Sequence, residues 1–118
     1  MNTKEDVLKS VMQIVVDCCS YEKDDGSPDI TMDMVMSLDR IGDNVNMTRC
    51  MIARQLNNMG YNNESIARVL GRSDSTVRDM LKRSDDFRDT RYAYRLAEDE
   101  AEIRIKALKR AIKRDDDE

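Results

Sequence analysis

Apolar residues recur at three- and four-residue steps along most of this chain, a spacing typical of amphipathic helices rather than strands. The first stripe predicts a helix from just after Thr3 to about Cys19, with Thr3 and Asp6 forming a capping box. A glycine and a proline mark residues 20–29 as a loop. The predicted buried face of this helix consists of Val7, Leu8, Val11, Met12, Val15 and either Cys18 or Cys19.

A second apolar stripe begins near Thr31, and residues 42–44 interrupt it. The pattern fits either one kinked helix over about 32–59 or two helices separated by a break, and we favour the break. Asn44 or Asn46 could then cap the second helix. The stripe consists of Val35, Leu38, Ile41, Val45, Ile52, Leu56 and Met59.

Residues 66–81 have the spacing of two short helices that meet at a tight turn. Ala67 allows the two helices to approach, and Gly71 can take the positive φ that ends a helix. Ser73 can then cap the second helix by accepting a hydrogen bond from a backbone N–H of its first turn. Val77 returns an apolar side chain to the shared core.

The motif continues upstream, where residues 49–60 predict another amphipathic helix that ends at Gly60, with Asn62 as the next cap. The run 49–83, about a third of the chain, resembles the helix-turn-helix domains of sigma-factor DNA-reading modules, resolvase and invertase C-terminal domains, and small phage regulators. This resemblance implies a three-helix unit whose last helix lies in the major groove of DNA.

Arg78 is the best candidate for reading a base, because its guanidinium can pair with guanine through two hydrogen bonds. Arg72, Lys82 and Arg83 are placed for phosphates, and Asp79 could accept from the amine of cytosine, as could Asp74. Outward positions of the second helix are Asp74, Ser75, Arg78, Asp79 and Lys82. The full set of candidate DNA-binding residues is Asn63, Arg68, Arg72, Ser73, Ser75, Thr76, Arg78, Lys82 and Arg83.

The net charge of −4 is distributed unevenly along the chain. Residues 1–46 hold 4 Lys and Arg against 10 Asp and Glu, residues 47–83 hold 7 against 3, and residues 84–118 hold 9 against 11. The positive part is therefore the helix-turn-helix itself, which supports double-stranded DNA as a partner. We predict an acidic N-terminal helical region over 1–46, the helix-turn-helix over 47–83, and a C-terminal helix with an acidic tail over 84–118.

The last segment predicts a polar joint at residues 84–87 and a helix from Asp85 or Arg88 to Arg114, followed by a disordered acidic tail. This helix could pack against the N-terminal helices or pair with its copy in a second subunit. We expect a homodimer or higher homo-oligomer that uses the C-terminal helix and the N-terminal region. The predicted coiled-coil seam consists of Ala97, Ala101, Ile105, Leu108 and Ile112.

The residue types present favour binding over catalysis. At 118 residues, with 40% hydrophobic and 37% charged composition, the chain predicts a small all-α protein with one modest core. It contains no His, and its three Cys form no CxxC pair, so we expect free thiols, no metal site, no cofactor and no enzymatic activity. No apolar run reaches the roughly 18 residues of a membrane span, and we expect a bacterial cytoplasmic protein.

These patterns favour a sequence-specific DNA-binding protein, such as a bacterial or phage transcriptional regulator. One alternative is a phage DNA-packaging protein similar to small terminase subunits, which would form a ring of about eight or more subunits rather than a dimer. Another is an inhibitor that uses the helix-turn-helix scaffold to bind a protein, with Asp74 and Asp79 as contacts. Loss of function in Arg78→Ala would separate DNA binding from this last alternative.

Overall fold

A computed structural model describes residues 3–39 and 41–117 of the chain, with side chains as far as Arg114. The described residues contain no strand, and an isolated bridge joins Glu22 to Pro28. The predicted all-α class is therefore confirmed. The helices are α1 (Lys4–Cys19), α2 (Met32–Met36), α3 (Asp43–Asn58), α4 (Asn63–Leu70), α5 (Asp74–Thr90) and α6 (Tyr92–Asp117).

The first helix begins and ends where the sequence predicts. The backbone N–H of Asp6 donates to the Thr3 hydroxyl at 3.1 Å, and the Thr3 N–H donates to the Asp6 carboxylate at 3.3 Å. This reciprocal pair is the predicted capping box, and it satisfies backbone donors that a helix start leaves free. The fully buried face of α1 consists of Leu8, Val11, Met12, Val15 and Val16.

The break in the second stripe is confirmed, but its predicted cap is wrong. Helix α2 ends at Met36, and α3 begins after Gly42. Glycine adopts the Gly42 φ of 138° freely, whereas other residues adopt it only with strain. The helix therefore starts before Asn44 and Asn46, and neither of them is its cap. The N-terminus of α3 has no side-chain cap.

The segment between α2 and α3 also departs from the predicted buried stripe. Leu38 is 82% exposed and Ile41 is 43% exposed, although both continue the three- and four-residue spacing. That spacing places residues on one face only while the backbone stays helical, and this segment is not helical. Val35 and Val45, which lie within helices, are buried as predicted.

The predicted polar joint at residues 84–87 is wrong, because α5 continues through it to Thr90. Ser84 is buried in the helix, where its hydroxyl donates to the Leu81 carbonyl at 2.7 Å. The Arg54 guanidinium of α3 also donates to the Ser84 hydroxyl at 3.0 Å. A serine whose hydroxyl is bonded in this way is compatible with a helix interior, so its polarity does not mark a helix end.

The actual corner between α5 and α6 lies at Arg91, which has an extended backbone at φ −120° and ψ 109°. The last helix therefore starts later than the predicted Asp85 or Arg88. The rings of Phe87 and Tyr94 meet across the corner with their centroids 5.9 Å apart. Such an aromatic contact contributes about 0.5–1.5 kcal/mol beyond area burial and helps to fix the angle between the two helices.

The predicted seam on α6 packs against α1. Ala101 and Ile105 are fully buried, and Ala97, Leu108 and Ile112 are half-buried. Of the two arrangements that the sequence left open, packing against an N-terminal helix is the one observed. This face of α6 is consequently covered within the chain.

The last helix also ends later than predicted, since it continues past Arg114 to Asp117. Acidic residues at a helix C-terminus oppose the helix dipole, but each such charge at the surface is worth only about 0.3–1 kcal/mol. Packing of the half-buried Ile112 favours helix in the preceding turn.

One core joins all three predicted segments, and both predicted boundaries fall inside helices, namely α3 and α5. Within the described residues, no helix is at once long enough and apolar enough to cross a lipid bilayer. The core residues with no measurable exposure are Val11, Val15, Cys50, Met51, Ile52, Ala53, Leu56, Ile66, Val77, Tyr94 and Ala101.

A buried carboxyl lies near the corner between α5 and α6. The Glu98 side chain is only 4% exposed, and its nearest cation is Arg88, at 3.6 Å. Burial raises the pKa of Glu98 above its ordinary value, and the Arg88 charge offsets this only in part. The folded state therefore holds the Glu98 proton more tightly than the unfolded state, and ionising this group at neutral pH destabilises the fold.

We accordingly expect Glu98→Gln to change the pH dependence of stability. The stabilising contribution of the raised pKa is complete below the unfolded value and is lost as pH rises through the folded value. The variant should gain stability relative to the native chain as pH rises above the ordinary glutamate pKa of about 4.3, as measured by urea denaturation. Asp86→Asn on the exposed side of α5 is the control; a parallel pH profile for Glu98→Gln and the native chain would contradict this account.

Candidate nucleic-acid interface

Local capping fixes the geometry of α4 and α5. The Asn62 side chain accepts from the Ser65 N–H at 2.8 Å, and the Ser73 hydroxyl accepts from the Thr76 N–H at 3.3 Å. Between the two helices, Gly71 has a φ of 65° in the left-handed region. All three features agree with the prediction, because each depends on residues within a few positions of the cap.

Apolar packing then holds the two helices against each other and against α3. Ala67 is 3% exposed at the contact side of α4, and Val77 is fully buried on α5. Ile66 and Leu70 complete the buried face of α4. With one side of α5 committed to this core, its other side faces outward on a rigid support.

Gly71 provides a direct test of the turn. A Cβ at this position would meet no atom within 4 Å, so the penalty of Gly71→Ala comes from the backbone alone. We expect Gly71→Ala to lower the free energy of unfolding by about 1–2 kcal/mol. Gly71→Asn should lose less, because asparagine tolerates the left-handed region. Urea denaturation measures both, and an alanine variant as stable as the native chain would contradict the described turn.

The outward side of α5 carries three exposed basic side chains. Arg78, Lys82 and Arg83 are all exposed, and none takes part in the ion pairs formed among the described residues. Asp74 and Asp79 share this side and are also exposed. Asp86 lies on this side as well, so the face is a mixture of cations and carboxylates, and Ser75 adds an exposed hydroxyl near its start.

The predicted residues at the turn have structural contacts of their own. The Arg72 guanidinium is half-buried and donates to the carbonyl oxygens of Ser37 at 2.6 Å and Leu70 at 3.0 Å. The Ser73 hydroxyl lies 2.9 Å from that of Thr76 in addition to capping α5. Arg72, Ser73 and Thr76 therefore order the turn, and they are less available than the exposed cations of α5.

The two predicted residues on α4 lie apart from this cluster of contacts. Arg68 is exposed and pairs with Glu64 at 3.3 Å, one helical turn away. Such surface pairs are weak, so the Arg68 guanidinium stays exchangeable between Glu64 and another anion. Asn63 is half-buried at the first position of the helix.

Sequence reasoning missed Arg49, a buried arginine that anchors the segment after α2. Its guanidinium donates to the carbonyl oxygens of Val35 and Met34 at 2.8 Å each and of Ser37 at 2.6 Å. Burial lowers the pKa of Arg49, and the nearby Arg72 charge lowers it further. A signal was present, since residue 49 lies four positions after a buried valine and three before a buried isoleucine.

Arg54 is a second missed arginine, and it ties α3 to α5. Its guanidinium donates to the Ser84 hydroxyl at 3.0 Å, to the Leu81 carbonyl at 2.9 Å and to the Asp85 carboxylate at 2.9 Å. These contacts fix α5 relative to α3. Periodicity alone does not predict them, because the partners are about 30 positions away in the sequence.

The cysteines lie outside this surface and are free, as predicted. Burial raises the pKa of both Cys19 and Cys50 to about 11. Because the thiolate is the reactive form, these two thiols are inert near neutral pH. Cys19 packs against α3, where its sulfur lies 3.7 Å from that of Met51, and Cys50 is a fully buried residue of α3.

Comparison with protein-family models gives no match, and neither a curated protein nor a solved structure matches the chain. The features of the chain that bear on function are the geometry and charge of α4 and α5.

Proposed function

We propose that the protein binds double-stranded DNA in a sequence-specific manner through the exposed side of α5, and that it acts as a transcriptional regulator in a bacterium or its phage. The observation that carries the proposal is the set of exposed cations Arg78, Lys82 and Arg83 on a helix that packs against α3 and α4. The major groove of B-DNA admits an α-helix presented in this way. In this account, residues 49–83 form the DNA-binding helix-turn-helix unit.

The side chains have different roles in the proposed complex. Arg78 reads guanine from near the start of α5, while Lys82 and Arg83 neutralise phosphates further along the helix. Asp79 accepts from a cytosine amine, which makes the site selective at the expense of affinity for random sequences. Ser75, at an exposed position in the first turn, donates to phosphate or a base edge.

The electrostatic part of the proposal is tested by anisotropy titrations of a fluorescent random-sequence duplex at several salt concentrations. We expect binding that tightens as salt is lowered, because each neutralised phosphate releases counterions. Replacing Lys82 by alanine should reduce the slope of log affinity against log salt by about 1. Lys23→Ala, which removes the same charge from the exposed loop before α2, should leave that slope unchanged.

One observation favours protein binding as a second candidate. A groove beside α4 has an apolar lining that includes Met12 and Val69, and a charged rim that includes Lys4, Arg68 and the paired Lys9 and Glu5, with a positive balance. Its chemistry suits a partner segment with apolar and acidic residues. If the duplex titrations show no binding at low salt, this groove becomes the leading functional site.

A further inference from the structure

The outward side of α6 carries three large apolar side chains that are more than half exposed, with the Arg95 guanidinium 5.7 Å from the centre of the Tyr92 ring. Tyr92 is 67% exposed, Leu96 53% and Ile103 65%. They follow one another at steps of four and seven residues, so they share one side of the helix. Ile103 is two residues from both Ala101 and Ile105, about 200° around the helix, which places this stripe opposite the side that packs on α1.

Charge along the exposed part of α6 changes sign at Ile103. Asp99, Glu100 and Glu102 lie within four residues before it and are acidic, with Arg95 a basic exception one turn earlier, while the charged side chains described after it are basic. The basic residues are Arg104, Lys106, Lys109, Arg110, Lys113 and Arg114. A second copy of the same helix would therefore meet opposite charges when antiparallel and like charges when parallel.

We propose that the outward side of α6 is the interface with a second copy of this chain, and that the two helices pair antiparallel about a two-fold axis at Ile103. In this arrangement the acidic stretch of each helix faces the basic stretch of the other, and Leu96 lies opposite Arg110 of the second copy. The contact is self-complementary, as a two-fold interface requires. It replaces the seam through Ala101 and Ile105, which α1 covers.

Sedimentation over a concentration series, without DNA, tests whether this surface forms a dimer. We expect the native chain to dimerise and Ile103→Asp to weaken dimerisation by at least about tenfold, because a carboxylate would enter the centre of the apolar contact. Leu38→Asp is the matched control, since Leu38 is 82% exposed but lies outside α6. Circular dichroism establishes that both variants keep their helices. A monomeric native chain, or an Ile103→Asp variant that dimerises like the native chain, would overturn the proposal.

Disulfide cross-linking tests the direction of the two helices. With the axis at Ile103, oxidised Ile103→Cys should form a covalent dimer, because that residue faces its own copy. Tyr92→Cys should not, since the two copies of residue 92 would lie about 33 Å apart along the helices. The native chain, whose thiols are buried or half-buried, provides the background. Equal cross-linking of both variants would overturn the antiparallel arrangement.

This inference does not depend on DNA binding, and the two can fail separately. Loss of dimerisation in Ile103→Asp is measured on the free protein, whereas the duplex titrations measure the side chains of α5. If the protein dimerises but binds no DNA, the α6 interface is supported and the proposed regulator function is contradicted.

Discussion

Replacing Arg78 with alanine should abolish most of the discrimination between a preferred duplex and a scrambled one. A bidentate arginine–guanine contact is worth about 1–3 kcal/mol, so affinity for the preferred duplex should fall about 5- to 150-fold. Affinity for scrambled DNA should fall much less, because Lys82 and Arg83 still neutralise phosphates. The exposed position of Arg78 means that the change leaves the core intact. Anisotropy titrations on both duplexes give the ratio directly.

Two control variants separate a base contact from a general charge effect. Lys23→Ala removes one exposed positive charge away from α5 and should leave both affinities nearly unchanged. Lys82→Ala removes a charge from the same side of α5 and should weaken both duplexes to a similar extent. If Arg78→Ala behaves like Lys82→Ala, Arg78 contacts phosphate rather than a base. If it behaves like Lys23→Ala, Arg78 lies outside the interface.

Replacing Arg49 with methionine should produce the largest loss of stability among exchanges of a single charged residue. The carbonyl oxygens of Val35 and Met34 lose the Arg49 guanidinium as their hydrogen-bond donor. The Ser37 carbonyl loses one of its two donors and keeps Arg72. Leaving buried carbonyl groups without donors costs about 1–3 kcal/mol, and we expect a loss of about 2–3 kcal/mol. Urea denaturation followed by circular dichroism measures this loss as a lower midpoint.

The matched control for this prediction is Arg72→Met. Arg72 is half-buried, and the Ser37 carbonyl that it contacts would keep Arg49 as a donor. We therefore expect Arg72→Met to destabilise by about 1 kcal/mol or less. If the two substitutions lower the free energy of unfolding equally, burial of Arg49 does not determine its contribution to stability, and the prediction is wrong. Hydrogen exchange should locate the loss at α2 and the segment that follows it.

Features that depend on neighbouring residues were predictable from the sequence. The caps at Thr3, Asn62 and Ser73 and the left-handed turn at Gly71 are each determined within about one helical turn. The buried stripes of α1, α3 and α4 followed from apolar spacing for the same reason. The all-α class then followed, because few glycines and a single proline interrupt these stripes.

Features that depend on distant contacts were not predictable. Ser84 is polar but lies inside α5, because Leu81 and Arg54 satisfy its hydroxyl. Leu38 fits the apolar spacing but is exposed, since the backbone there is not helical. In both cases the spacing of apolar and polar residues did not indicate the three-dimensional surroundings, which determined whether the side chain is buried.

The candidate site likewise combines features that the local sequence predicts with features that depend on the three-dimensional fold. The outward side of α5 followed from helical spacing, so the exposure of Arg78 and Lys82 was foreseeable. The contacts of Arg72 with Ser37, and the anchoring role of Arg49, depend on where the segment after α2 lies in three dimensions. The seam on α6 was recognised as apolar, but only its packing on α1 identified which side of that helix remains open.

Enrichment of a random duplex pool by the native chain is a direct test of sequence-specific DNA recognition. The pool is selected over successive rounds at about physiological salt and then sequenced. We predict a recurring motif that contains guanine and is repeated in inverted orientation, because a two-fold dimer presents two copies of α5. A pool in which no sequence is enriched, together with no binding when salt is lowered, would contradict DNA recognition and leave α4 and α5 as a scaffold for binding protein.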